Sequence, residues 1–319
     1  LNPLEAALLC GMSVSDEIDD EVEEASFSEE EIDDEFGELS PAERSETIAN
    51  FLSEYGDTMR DNNKRIFSRV LDMIAATEGD DKLHLDMLAT HLEIEDPKYV
   101  EFKSWDMPEF TSFSDYRARS DLGDDAGICE PFSEDYVGRY LSSLEIAVRK
   151  NASRDLLGNT AESLKLPAEF YEFLKHTGGA HYPNLDKRMF VCDLPTEHYN
   201  EEKHALPLDK LCEHAPCQYD FEVAAGWVAG DYDMSSRIYY LLCRDYDEPD
   251  EPWRWKVFYI NYAFADGDHF DSLRDFLSWY CKAYDWVNWK AVQCGIDSLH
   301  HKCIDALRKE ALEKEQMQD

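Results

Sequence analysis

From Ser40 onward, apolar residues fall at helical spacing. Ile48, Phe51, Leu52 and Tyr55 come after a Ser40-Pro41-Ala42-Glu43 capping box with proline at the first helical position. Asn62 or Asn63 then reads as the cap of a second helix carrying Ile66, Phe67, Val70, Leu71 and Ile74 on one face. Gly79-Asp80-Asp81 breaks it, and Leu85, Leu88 and Leu92 mark a third, short helix before Pro97. Residues 40–95 thus predict a small helical hairpin or bundle, too small to stand alone, that packs on the C-terminal remainder of the chain. Between 96 and 135, Trp105, Phe110, Phe113 and Tyr116 lie among Pro, Ser, Asp and Gly with no sustained period. That stretch reads as an irregular connection or an aromatic-anchored loop.

Helical spacing returns at Glu134, with Val137, Tyr140, Leu141, Leu144 and Val148 on the buried side. A short helix comes next, with Leu166, Phe170, Phe173 and Leu174 on one face. Pro167 suits its first position, Glu169 its first turn and His176 its last, and Gly178 suits the left-handed residue that ends a helix. Phe173 is expected to point inward and Glu172 to solvent. After Gly178-Gly179 the pattern becomes strand-like: Met189–Cys192, then Phe221–Val228 ending at Gly230-Asp231, then Arg237–Arg244, then Trp253–Tyr262. Residues 193–220 read as an excursion with one helical turn near Leu208 to Cys212. The run Ile238-Tyr239-Tyr240-Leu241-Leu242 lacks polar alternation, which suits a central strand covered on both faces. Its short loop to the next strand predicts an antiparallel pair. Asp266-Gly267-Asp268 reads as a turn, Ser272 with Asp275 as a capping box, and Leu273, Phe276, Leu277, Tyr280 and Tyr284 as a helical stripe. A last helix is expected after Gly295, bearing Ile296, Leu299, Cys303 and Leu307 and fraying from Arg308.

Charge changes the picture at the N-terminus. The chain carries 31 Lys and Arg against 70 Asp and Glu, a net charge of −39, and Asp16 to Glu38 contains no Lys or Arg. Residues 1–39 read as an acidic, disordered, solvated tail, although Ile18, Val22, Phe27, Ile32 and Phe36 interleave with the acids and would suit docking on a basic groove. Direct binding to nucleic acid or to an anionic membrane is disfavoured, and a basic protein partner is favoured. Nine scattered cysteines, an odd number, fit reduced thiols of the cytosol or nucleus. Leu4 to Cys10 is apolar but has no basic residue before it, so it does not read as a signal peptide, and no run approaches membrane-spanning length.

The order of elements, with Leu166-Pro167-Ala168-Glu169-Phe170-Tyr171-Glu172-Phe173-Leu174 ending in Gly178-Gly179, then Gly226-Trp227 and Gly230-Asp231, then Phe270-Asp271-Ser272-Leu273-Arg274-Asp275-Phe276-Leu277, resembles the SUKH superfamily. The resemblance is to its fungal Smi–Knr cell-wall-regulator type and spans roughly 134–290. Leu273 stands where that family usually has Phe. The resemblance implies a mixed sheet with helices on one side, no known catalytic centre, and a role in binding proteins, regulatory in fungal members; bacterial relatives are toxin-neutralising immunity proteins. No cofactor is expected. The expected fold is α+β: a mixed, mainly antiparallel sheet with flanking helices, preceded by a small helical region and the acidic tail. Its divisions are 1–39, the tail; 40–133, a helical region with an irregular connection; and 134–319, the SUKH-like domain with a C-terminal helix.

Chemistry-bearing clusters are few. Cys212, His214 and Cys217, with His300, His301 and Cys303, are metal-ligand types, but their spacing is not that of a finger or ribbon. Asp231, Asp233, Asp266, Asp268 and Asp271 lack the spacing of a calcium loop and fit ordinary turn chemistry. Cys192 with His181 or His198 is the remaining catalytic combination, and no family signature surrounds it. No metal ligand or catalytic residue is therefore assigned. Trp227, Trp253 and Trp255, with Asp231, are the candidate contact residues, Trp253 because it comes after Pro252 beside an acidic loop. The reading is a non-enzymatic protein-interaction module; a zinc-stabilised domain or metal-dependent enzyme, and an acidic nucleic-acid mimic or immunity-like inhibitor, are the alternatives.

Overall fold

The structure, a computed structural model, describes residues 31–91, 112–120, 124, 126–180, 207–208, 211, 221–232, 236–261, 266–283 and 289–316. In chain order the elements are β1 (Ile32–Asp33), α1 (Glu35–Glu38), α2 (Pro41–Ala75), α3 (Asp81–His91), α4 (Phe113–Arg117), α5 (Glu134–Asn151), α6 (Arg154–Leu157), α7 (Thr160–Ser163) and α8 (Ala168–His176). Then come β2 (Phe221–Tyr232), β3 (Ser236–Asp245), β4 (Trp253–Asn261), β5 (Asp266–Phe270), α9 (Leu273–Ala283) and α10 (Trp289–Gln316). The fold is α+β, as the pattern predicts. Residues 1–30, Trp105, Phe110, Tyr284, the strand expected at Met189–Cys192 and most of the 193–220 excursion lie outside the described residues. From that excursion Leu208 and Leu211 are described as helical, and the Leu211 N–H donates to Pro207 O at 3.0 Å.

The sheet is mixed. β3 pairs antiparallel with β2 and with β4, so it is central, and Ile238 to Cys243 are all buried on both faces. β4 is bordered on its other side by two short strands: β1, parallel, at Trp253 and Arg254, and β5, antiparallel, from Val257 to Asn261. Asp266-Gly267-Asp268, expected as a turn, therefore starts a strand. Its residues are poor strand formers, but the ladder offered by β4 outweighs their propensity.

One face of the sheet carries the main core. Trp227 and Tyr240 stack at 4.7 Å between ring centroids, and Trp255 meets Trp227 edge-on at 5.2 Å. Phe170 of α8 covers both rings of the stack, at 5.2 and 5.3 Å, and Phe173 reaches Phe51 of α2 at 6.0 Å. Helix α8 thus links sheet and helical layer, as the Leu166, Phe170, Phe173 and Leu174 face predicts; all four are buried. The opposite face holds a second apolar cluster of Val223, Val228, Tyr239, Leu241, Cys243 and Phe258, with Leu211 against it.

Helix α2 merges the first two of the three expected helices, and α3 is the third. Helix α2 is one helix of 35 residues, about 50 Å long at 1.5 Å per residue. The Ser40 capping box is present in both directions. Asn62 and Asn63 lie buried in its interior, and the Asn62 side-chain amide donates to Cys281 O of α9 at 3.2 Å instead of capping a new helix. Met59, fully buried, carries the apolar stripe across the gap between Tyr55 and Ile66. The last helix also exceeds its expected length, beginning at Trp289 and remaining helical to Gln316 rather than fraying from Arg308.

Three details around α8 differ from expectation. Pro167 precedes the helix as its N-cap residue, and no side chain of its own caps the turn. Asp34, 134 residues away on the N-terminal side, supplies the acceptor: its Oδ2 takes the Ala168 N–H at 3.0 Å, while Oδ1 takes Gly37 N–H at 3.0 Å. Residues 31–39 are therefore folded onto the domain, which corrects the tail's expected boundary at 39. Trp253 N–H donates to Glu31 O, and Phe36 packs on the core beneath the Arg274 guanidinium, 4.9 Å away. Glu172, expected at solvent, is only 3% exposed; it bonds Lys175 Nζ at 2.9 Å and lies 3.6 Å from His176 Nε2, which also meets Ser45 Oγ at 2.9 Å. The exposed neighbour is Tyr171. Finally, Gly179 rather than Gly178 has positive φ, 136°. Gly178 is needed for space, because a Cβ there would stand 2.4 Å from Glu130 O.

These contacts set measurable costs. Phe173→Ala should destabilise by about 3–5 kcal/mol, and exposed Tyr171→Ala by less than about 1 kcal/mol. Asp34→Ala should cost about 1 kcal/mol, with Asp34→Asn largely restoring it, since Asn also caps helices. Equilibrium urea unfolding of the four variants checks this ranking. Limited proteolysis should leave a fragment beginning at or before Glu31; a stable product beginning at Ser40 would contradict the docking of residues 31–39.

Candidate functional site

The predicted contact tryptophans are not at the surface. Trp227 and Trp253 are 0% exposed and Trp255 8%. Trp227 and Trp255 belong to the aromatic stack of the main core, so large aromatic area is spent there. Trp253 begins β4 and lies under Arg244, whose guanidinium is 4.4 Å from its ring. Asp231 pairs in register with Arg237 near the end of the β2–β3 ladder. The four residues do not form an exposed patch.

The acidic loop that drew attention to Trp253 is nevertheless a built surface feature. Residues 246–251, between β3 and β4, are all exposed, and Tyr246 is 55% exposed. Two successive turns shape the loop: Glu248 N–H donates to Asp245 O at 3.2 Å, and Glu251 N–H to Glu248 O at 3.1 Å. The Asp245 carboxylate accepts from Asp247 N–H at 2.9 Å, the local bond that makes aspartate a turn former. Arg244 ties the loop down. Its Nη1 donates to Pro249 O at 2.9 Å, its Nε donates to Glu222 at 2.8 Å, and its Cζ lies over the Trp253 ring.

Five carboxylates, Asp245, Asp247, Glu248, Asp250 and Glu251, are thereby held within seven residues. Glu248 shares a hydrogen bond with the Glu251 carboxyl, and repulsion from Glu251, Asp245 and Asp247 adds to it; its pKa is raised above the ordinary glutamate value. Like charges fixed this close are relieved when a cation arrives. At the flank, Arg254 bonds Asp33 at 3.0 Å and approaches Glu251 at 3.6 Å, so β1 borders the same corner. Sequence reasoning missed Tyr246, whose signal was its place between two aspartates in a Pro-containing turn.

The other candidate chemistry, where it falls on described residues, is spent on structure. His300 Nε2 lies 2.5 Å from Glu78 O and His301 Nδ1 2.6 Å from Asp297 O, which uses both imidazoles structurally. Asp268 is exposed in β5, and Asp271 is bound to Lys256, which holds its carboxyl below the usual range. Among the described residues no group of three or more His, Cys, Asp or Glu converges to hold a metal. Cys212, His214, Cys217, Cys192, His181, His198 and Asp233 lie outside the described residues. Burial pushes the Cys281 thiol up to about 11, leaving it protonated and unreactive. No described helix is long and apolar enough to cross a membrane. Comparison with protein-family models, curated proteins and solved structures finds no match.

Arg244 should be separable from the sheet it borders. Arg244→Lys keeps the charge but loses the guanidinium over Trp253 and the paired donors, at about 1–2 kcal/mol. Hydrogen exchange at the Glu248 and Glu251 amides should quicken, while amides in the middle of β3 keep their protection.

Proposed function

We propose that the chain is a non-enzymatic protein-interaction module that docks a basic partner on the β3–β4 turn. The observation that carries this reading is a half-exposed tyrosine in a turn that bears five carboxylates and is anchored to the sheet. Aromatic anchors with a charged surround are typical hot-spot chemistry. The net charge of −39 favours the same sign of partner and would accelerate encounter. The SUKH-like order of elements supports a regulatory role of the cell-wall or signalling type, in the cytosol or nucleus. The same charge argues against direct binding to nucleic acid or membrane.

A lysine- and arginine-rich peptide library, screened against the full-length chain, tests it. Tyr246→Ala should weaken the selected binder about tenfold or more, and affinity should fall with added salt. A bound cation favours ionised Glu248, so binding releases a proton. Affinity should therefore rise with pH through the titration of Glu248, which lies above the ordinary glutamate range, and then level off. Glu248→Gln should flatten that rise. Binders indifferent to both substitutions would remove the loop from the function.

A further inference from the structure

A second surface has the opposite charge. Where α5 gives way to α6 and α7, Ile146, Arg149, Lys150, Arg154, Ala161 and Glu162 line an open cleft of about 390 Å³. Three cations and one anion line it, with Glu145 beside Arg149, in a chain whose acids outnumber its bases 70 to 31. Lysine and arginine in the last turn of α5 also suit the helix dipole, which explains part of the pattern. It does not explain Arg154, outside that helix, or Ile146, which is 63% exposed at the cleft wall.

The cations are not equally occupied. Arg149 is fixed, donating from Nε to Leu164 O at 2.6 Å and pairing with Glu145, which also takes Lys165 at 3.2 Å. Arg154 reaches Glu162 only at 3.5 Å and is largely exposed. Lys150 is exposed and makes no ion pair among the described residues. Fixed and available cations therefore stand beside an exposed apolar side chain on the same cleft.

We propose that this cleft binds an acidic peptide segment of a partner protein, with its carboxylates on Lys150 and Arg154 and one apolar side chain against Ile146. A single phosphate or carboxylate would leave most of a cleft this size, and its apolar wall, uncovered. A nucleic acid or an anionic membrane would bring many charges against the rest of an acidic surface. A short peptide presents its charges only where the cations are. This site is independent of the tyrosine turn, and each reading can fail alone.

The probe is a fluorescein-labelled heptapeptide of Asp and Glu with one central Leu, titrated against the full-length chain and monitored by anisotropy. Binding should be saturable and salt-sensitive. It should weaken about tenfold or more in the exposed double variant Lys150→Glu, Arg154→Glu, and about fivefold when the peptide's Leu becomes Gly. Tyr246→Ala should leave it unchanged. The Leu→Gly comparison needs no change in the protein, so it stands even if the double variant folds poorly. No saturation below about 1 mM, equal binding by the double variant with native melting, or inorganic phosphate displacing the peptide as well as unlabelled peptide does, would each overturn the proposal. Carbodiimide coupling of Lys150 to acids within residues 16–30 of the same chain would assign the cleft to that segment instead and reject an external partner.

Discussion

Helix α8 begins behind a proline and brings no cap for its own first amides, so its place depends on carboxylates from and to distant segments. Asp34, between β1 and α1, reaches in to accept the Ala168 amide. One residue further on, Glu169 reaches out: its Oε2 accepts Leu273 N–H at 2.8 Å and its Oε1 accepts from Arg274 Nε at 2.6 Å. Burial pushes the Glu169 carboxyl up, and the Arg274 bonds pull it back. A buried carboxylate in this position is tolerable only because every contact is charge-assisted or belongs to a helix N-terminus. The same Arg274 covers Phe36 of α1, so residues 34–36, α8 and α9 close on one another through two acids and one arginine.

This dependence on distant partners divides the fold into parts that could be read from sequence and parts that could not. Helix α5, the docked face of α8, central β3, the capping box at Ser40 and the Ser272 side-chain cap on Asp275 N–H are all written in spacing of a few residues, and they appear where that spacing puts them. Elements that exist because of a distant partner were not legible. Strand β1 is two residues long and is ordered by β4. Asp34 looked like one more acid in an acidic run. Glu172 looked like the polar face of a short helix, yet α2 approaches from that side and brings Ser45 against its neighbour His176. Asn62 had the chemistry of a cap and is used as a bridge.

The candidate site divides the same way. Tryptophan is the residue most often sought at an interface, but three here supply the bulk of a sheet core. The nearby loop was legible as acidic and turn-forming. The exposure of Tyr246 was not, because it depends on Arg244 drawing the turn down onto Trp253 and leaving the tyrosine outside.

Strand β4 carries one more consequence. Its outer edge is not met by a single long neighbour but is shared, one end with β1 and the other with β5, running in opposite directions. An uncovered strand edge is a template for pairing with another chain. Here that template is broken into two short lengths, one of them closed by the segment that brings in Asp34. The N-terminal strand is therefore a guard against self-association as well as a support for the helix, and its release would expose backbone donors and acceptors together with the apolar surface beneath Phe36.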